Sequence, residues 1–127
     1  MVELKDIQRE ITECVIQWTE TAKDQNLTAR DFNDLLSEQD KTIPYHYLIL
    51  RNGNLQRCRP LKDVGGALNN SHESYSIQIA FVGGINANSR NKDYAQYLSS
   101  DSFTSEQFKT FDTFLRILYG GYPGIQV

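Results

Sequence analysis

An α/β fold with a mixed central β-sheet flanked by helices is predicted by three features of the sequence. Short apolar runs have the length and β-branched content of strands. Two longer segments carry apolar residues at helical spacing. The two kinds of segment alternate along the chain rather than separating into blocks. With 127 residues, one domain over 1–127 is expected.

The first strand is expected over 11–19, where Val15, Ile16 and Trp18 alternate loosely with polar residues. Residues 28–39 read as a helix. The Thr28 hydroxyl can accept a bond from an orphan N–H of the first turn, and Phe32, Leu35 and Leu36 follow i, i+3, i+4 spacing. Pro44 closes the connection. Residues 45–51 and 54–59 read as a hairpin around Asn52-Gly53, a pair suited to a type I′ turn because both central residues need positive φ. In its first arm Tyr45, Tyr47 and Ile49 face one way, and His46, Leu48 and Leu50 the other. Both faces are apolar, which predicts a strand covered on both sides.

A further strand is expected over 76–82, closed by Gly83-Gly84. Residues 85–102 are polar and irregular and read as an extended surface loop, with Tyr94, Tyr97 and Leu98 as candidate contact residues. The strongest helical pattern is 104–119. Thr104 and Gln107 make a capping box, and Phe108, Phe111, Leu115 and Leu118 form a stripe with Phe114 beside it. Gly120-Gly121 is expected to stop this helix, and residues 125–127 to form a last strand.

Charge and composition exclude several classes of function. The net charge is −3 and the pI about 5.3, and Arg57 and Arg59, on one face of a strand, are the densest basic cluster. Nucleic acid, which requires a concentrated basic surface, is not an expected partner. No apolar run reaches the roughly 18 residues of a membrane span, and the charged N-terminus lacks the features of a signal peptide. Cys14 and Cys58 are therefore expected to be reduced thiols. Neither a phosphate-binding glycine loop nor a nucleophile elbow is present.

A series of short motifs carries more information. Tyr45-His46-Tyr47 precedes an apolar strand, followed by Arg51-Asn52-Gly53, Arg59-Pro60-Leu61 and Val64-Gly65. Ser76-Ile77 leads into Phe81-Val82-Gly83-Gly84, and Phe103-Thr104-Ser105-Glu106-Gln107 and Tyr122-Pro123-Gly124 bracket the last helix. In this order the motifs resemble the zinc-dependent N-acetylmuramoyl-L-alanine amidases, which share a fold with peptidoglycan recognition proteins. Among these the chain is most similar to short bacteriophage amidase-lysozymes.

The resemblance implies a zinc ion held by a His at the end of the first strand, a second His just after the last strand, and a Cys or other third ligand in the following loop. A Tyr at the start of the hairpin strand and a Lys near the last ligand would assist. Carried over by position, most of this set is missing. Gln17, in Val15-Ile16-Gln17-Trp18-Thr19, stands where the first His is expected, and a neutral amide is a poor zinc ligand. The sequence ends at Val127, short of the second His, the third ligand and the Lys. Val64-Gly65 is followed by Gly66-Ala67-Leu68, without the His often found there. Tyr45 is retained. His46 is expected to pack in the core, His72 to sit in a surface loop, and Cys14 to lie on the far side of its strand from Gln17.

On this basis no zinc is expected, and Gln17 and Tyr45 mark a vestigial cleft. The expected function is that of a non-catalytic, amidase-like assembly module of a bacteriophage tail or baseplate, made in a host cytoplasm and carried in the virion. Its partners would be other tail proteins or further copies of itself. In that case Tyr45→Phe is silent. Two alternatives stay open: an amidase with atypical or missing ligands, and a peptidoglycan-binding module without turnover.

Overall fold

A computed structural model describes residues 9–21, 25–66, 71–84 and 103–127, with the side chains of Ser71 and His72 excepted. The elements run β1 (Glu13–Trp18), α1 (Ala29–Ser37), β2 (Tyr47–Ile49), β3 (Leu55–Arg57), a 3₁₀ turn (Ser71–Tyr75), β4 (Ser76–Phe81) and α2 (Ser105–Gly121). The sheet order is β1-β4-β2-β3. β1 and β2 both run parallel to β4, and β3 returns antiparallel to β2. The mixed sheet with helices agrees with the alternation of patterns in the sequence.

The register sorts side chains onto two faces, because paired residues on neighbouring strands point the same way. Ile16, Ile79 and Tyr47 align across three strands, as do Trp18, Phe81 and Ile49. This face packs on α2 through Phe111, Phe114 and Leu118. Gln17, Ala80 and Leu48 align on the opposite face. There Leu48, Leu50 and Val82 form a second cluster with Ile43, against which Phe32 and Leu36 of α1 pack. β4, enclosed on both sides, is buried at all six positions.

Both expected caps form, and that at Thr28 proves to be a capping box as well. Thr28 and Asp31 cap α1, and the two hydrogen bonds from Thr28 hold the Asp31 carboxyl below its ordinary pKa. Thr104 and Gln107 cap α2. Gln107 also ties that helix to the sheet. Its Nε2 donates to the carbonyls of Ile49 at 3.0 Å and Val82 at 2.9 Å, and its Oε1 accepts from the Thr104 N–H at 2.9 Å. The buried amide is satisfied at both ends, which removes the cost of burying it.

Several local expectations are corrected. Leu35 is 54% exposed, and the packed face of α1 is Ala29, Phe32 and Leu36. The hairpin turn is not type I′, because Gly53 has φ +92° while Asn52 does not enter positive φ. The Gly53 N–H donates to the Leu50 carbonyl and the Leu50 N–H to the Asn54 carbonyl, both at 2.8 Å, the pattern of a type I turn followed by a glycine bulge. Arg59 lies outside β3, where its guanidinium donates to the Val64 carbonyl and to Thr42 Oγ1, so it does not extend a strand face with Arg57. α2 runs through both glycines to Gly121. It ends at Tyr122, which the following proline keeps out of helical backbone, at φ −134° and ψ 76°. Residues 125–127 contribute one parallel bridge, Glu13 to Gln126. The candidate contact residues Tyr94, Tyr97 and Leu98, with the whole of 85–102, lie outside the described residues.

Gly84 shows where backbone freedom is needed. It has φ +88°, and a Cβ there would stand 2.7 Å from Trp18 Cδ1. Gly84→Ala is expected to cost about 1–3 kcal/mol from the backbone conformation alone. A lowered urea midpoint at unchanged m-value is the result that checks it.

Candidate functional site

The face of the sheet that carries α1 is not uniformly covered. α1 lies over the cluster of Leu48, Leu50 and Val82, whereas Val15 and Gln17 on β1 remain half-buried. Gln17 is the penultimate residue of β1, at the carboxyl end of a strand in a parallel arrangement. In α/β sheets that end is where ligands are bound. Its Oε1 is buried and has no hydrogen-bond partner among the described residues. An unsatisfied buried carbonyl costs about 1–3 kcal/mol, and native folds keep few of them.

Tyr45 lies on the same face. The alternation of the hairpin arm predicts it beside Tyr47 and Ile49, but the strand begins only at Tyr47 and the chain bends at His46. The bend carries the Tyr45 ring onto the cluster of Ile43, Leu48, Leu50 and Val82 instead. Burial, and secondarily the negative charge of Glu20, raise the Tyr45 pKa above its ordinary value, so the phenol stays protonated at neutral pH.

The rim next to Gln17 is tied down. Thr19 and Thr21 share a hydrogen bond at 2.8 Å between their hydroxyls. The Gly83 N–H donates to Thr19 Oγ1 at 3.0 Å, and the Thr21 N–H to the Gly83 carbonyl at 3.0 Å. Glu20 stands between the two threonines at φ +59°, a left-handed conformation uncommon for a residue with a side chain. The clamps on either side hold it there and present its exposed side chain at the rim.

His46 and both cysteines stand apart from this arrangement. His46 is fully buried. Its Nδ1 accepts the Gln78 N–H at 2.9 Å, which leaves the proton on Nε2 to donate to the Asp63 carbonyl at 2.7 Å. Burial is the main cause that lowers its pKa to about 4, with Arg9 and Arg59 acting in the same direction. The unfolded chain, with an ordinary imidazole near 6.5, binds a proton that the native state does not. Stability is therefore complete above about pH 6.5 and falls as the pH drops toward 4. The expected loss is about 2–3 kcal/mol. Urea midpoints at pH 7 and 4.5 for the native chain and His46→Gln check it, because the variant lacks this component. Cys14 packs on the α2 face, away from Gln17, and Cys58 on the other. Both are free thiols, pushed by burial up to about 12 and about 11. The side chain of His72 is outside the described residues.

The donors near Gln17 do not fit a zinc ion. Among the described residues no three His, Cys, Asp or Glu side chains come together. The Gln17 carbonyl is neutral and a weak donor beside imidazole or thiolate. An open groove of about 890 Å³ runs past Arg57, Lys109 and Thr113 between β3 and α2. It lies on the other face of the sheet and holds neither Gln17 nor Tyr45.

The mixed sheet, with β1 and β2 parallel to β4 and a helix packed on each face, is an amidase-type fold. The chain belongs to the Amidase_2 family of N-acetylmuramoyl-L-alanine amidases, whose model matches residues 7–126. Solved structures agree on the fold. The Ph2119 endolysin from Thermus scotoductus MAT2119 bacteriophage Ph2119 is similar with a TM-score of 0.67 at 20% identity, covering 91% of this chain and 68% of that one. The endolysin amidase LysCS from Clostridium intestinale URNW is similar with a TM-score of 0.61 at 20% identity, covering 92% and 68%. LysC from the same organism gives 0.61 at 20% identity, covering 92% and 70%. No curated protein sequence matches.

These findings overturn the expected role as a non-catalytic tail or baseplate module. The match over residues 7–126 to a family of N-acetylmuramoyl-L-alanine amidases is the finding that overturns it. The expectation of lost activity rested on ligand positions carried over by resemblance, with Gln17 first among those that do not match. The substitution at position 17 removes a side chain, but it leaves the sheet, the open end of β1 and Tyr45 in place. Among the described residues no helix is long and apolar enough to cross a membrane.

Proposed function

We propose that this chain is a peptidoglycan hydrolase that cleaves the amide bond joining N-acetylmuramic acid to the L-alanine of the stem peptide. The family match over residues 7–126 carries the reading. The position of Tyr45 on the open face supports it. In the reaction, the oxygen of water bonds to the carbonyl carbon of the lactyl group and the C–N bond breaks. The nitrogen takes up a proton and leaves as the amino group of alanine, and a carboxylate remains on the sugar. The carbonyl oxygen becomes an oxyanion on the way. A protonated phenol at that oxygen is worth more in the transition state than in the ground state. Tyr45, a phenol whose pKa burial raises further above the neutral range, is suited to that position. No step is assigned to a metal.

The test uses the chain with purified sacculi. The expected result is time-dependent appearance of new alanine amino termini and soluble stem peptides, without new reducing sugar ends. If amino termini do not rise above a buffer control, the reading fails. Zinc content by elemental analysis, run on the same sample, measures directly whether an ion accompanies the chain.

A further inference from the structure

We propose that the open groove between β3 and α2 docks an extended acidic polypeptide segment, which joins the sheet as a further strand beside β3. This goes beyond the hydrolase reading and does not depend on it, because the groove lies on the face opposite Tyr45. β3 is the last strand in the order β1-β4-β2-β3, so one of its edges has no strand beside it. The bonds to β2 fix which backbone groups point outward. The Leu50 N–H donates to the Asn54 carbonyl and the Cys58 N–H to the His46 carbonyl, both at 2.8 Å. In an antiparallel pair, bonded and non-bonded residue pairs alternate. With Ile49 opposite Leu55 and Tyr47 opposite Arg57, the N–H and carbonyl of both Leu55 and Arg57 face away from β2. They have no hydrogen-bond partner among the described residues. Such an edge is a template for another strand.

The side chains of Leu55 and Arg57 point to the α2 face, as those of Tyr47 and Ile49 do. There they line the groove of about 890 Å³ together with Tyr47, Phe114, Lys109 and Thr113. Both walls are fixed. Thr110 Oγ1 donates to the Gly53 carbonyl, which ties the hairpin to α2, and Gln56, on the other side of β3, accepts the Ala29 N–H at 2.6 Å. A strand laid beside β3 places alternate side chains in this groove. Charge selects them. Arg57 and Lys109 are exposed, and neither is in an ion pair among the described residues, whereas Arg116 on the same helix is paired with Asp112 at 2.9 Å. The whole chain carries −3, so the groove is a local concentration of positive charge on an acidic protein. It suits an acidic side chain opposite Arg57 and an apolar one opposite Leu55. A second copy of the chain is the poorer occupant, because pairing β3 with itself brings Arg57 and Lys109 toward the same cations of the other copy.

The probe is the end-blocked peptide TETVTET, whose glutamates flank the valine so that one meets Arg57 in either chain direction. The readout is amide hydrogen exchange at Leu55 and Arg57, whose N–H groups are open in the free chain and bonded once a strand is added. Saturating TETVTET is expected to slow exchange at both amides by about tenfold or more, and TKTVTKT is expected to leave it unchanged. The double variant Arg57→Glu, Lys109→Glu is expected to reverse the preference, with TKTVTKT bound about tenfold more tightly than TETVTET. Both residues are exposed, and an unchanged Tm verifies that the variant is folded. The proposal is overturned if TETVTET leaves exchange at these amides unchanged, or if TKTVTKT protects them equally. Binding of TETVTET without protection also overturns it, because the groove then holds an anion and not a strand. So does protection that rises with the concentration of the chain alone, because a second copy then occupies the edge.

Discussion

Tyr45→Phe is expected to lower the rate of stem-peptide release from sacculi by about 10²–10³-fold. That is the cost of removing one preorganised donor from a developing oxyanion. The substitution deletes the hydroxyl and keeps the ring. The ring is what packs on Ile43, Leu48, Leu50 and Val82, so stability should change little. The loss is expected in kcat rather than KM, because the contact strengthens only as charge develops on the oxygen. The raised pKa of Tyr45 adds a second signature. A donor that must stay protonated is lost only as pH rises through its folded pKa, which lies above the ordinary phenol value. Tyr45 therefore contributes no fall in activity at neutral pH. The mutant also separates the present reading from the non-catalytic one, under which the change is silent. Hydrolysis within twofold of the native rate, with the fold intact, would remove Tyr45 from the reaction.

Much of the fold was legible because local chemistry and tertiary packing agree. Thr28 with Asp31 and Thr104 with Gln107 sit in the caps that their hydroxyls and side chains suit. The strand expected over 76–82 became β4 (Ser76–Phe81), buried on both faces even at the polar Ser76 and Gln78. Misreadings arose where one residue decided between two geometries. A bend at His46 ended the strand's alternation and moved Tyr45 to the other face. Asn52-Gly53 satisfied the composition of a type I′ turn, but only the glycine took positive φ. Gly120-Gly121 looked like a helix stop, yet the proline after Tyr122 set the end. Gln107 read as a cap alone. Its second role, binding the carbonyls of Ile49 and Val82, depends on two strands distant in sequence.

The candidate site was legible as a position and not as a chemistry. Gln17 stood out as a departure from a ligand pattern, and its address on β1 was correct. Sequence could not show that its carbonyl is buried with no partner among the described residues, because that depends on tertiary packing around the end of β1. Sequence marked position 17 by what it lacks, and the structure adds that the amide found there is held at the carboxyl end of β1. Glu20 gave no signal in sequence. Its conformation is imposed by the hydrogen bonds of Thr19 and Thr21 to one another and to Gly83.

The largest expected effect on stability is Phe114→Ala, at about 3–5 kcal/mol. Phe114 is 1% exposed and meets Tyr47 edge-on, with ring centroids 5.3 Å apart. It joins the middle of α2 to the central strand β2, and its deletion leaves a void in the core cluster under α2. Phe111, one turn earlier, is 8% exposed and stacks on Phe81 at 5.3 Å, in a group that also includes Phe103 and Phe108. The remaining rings of Phe81, Phe103 and Phe108 can shift to occupy part of a cavity at position 111, and the cost of a deletion falls as the site collapses. Phe111→Ala is therefore expected to cost less than Phe114→Ala, by about 1 kcal/mol. For a chain of this size the larger loss corresponds to a fall in Tm of about 10–20 °C. Calorimetry of both variants decides the order. An equal or reversed order would show that α2 is anchored through its first half and the aromatic group, and not through the contact of Phe114 with Tyr47.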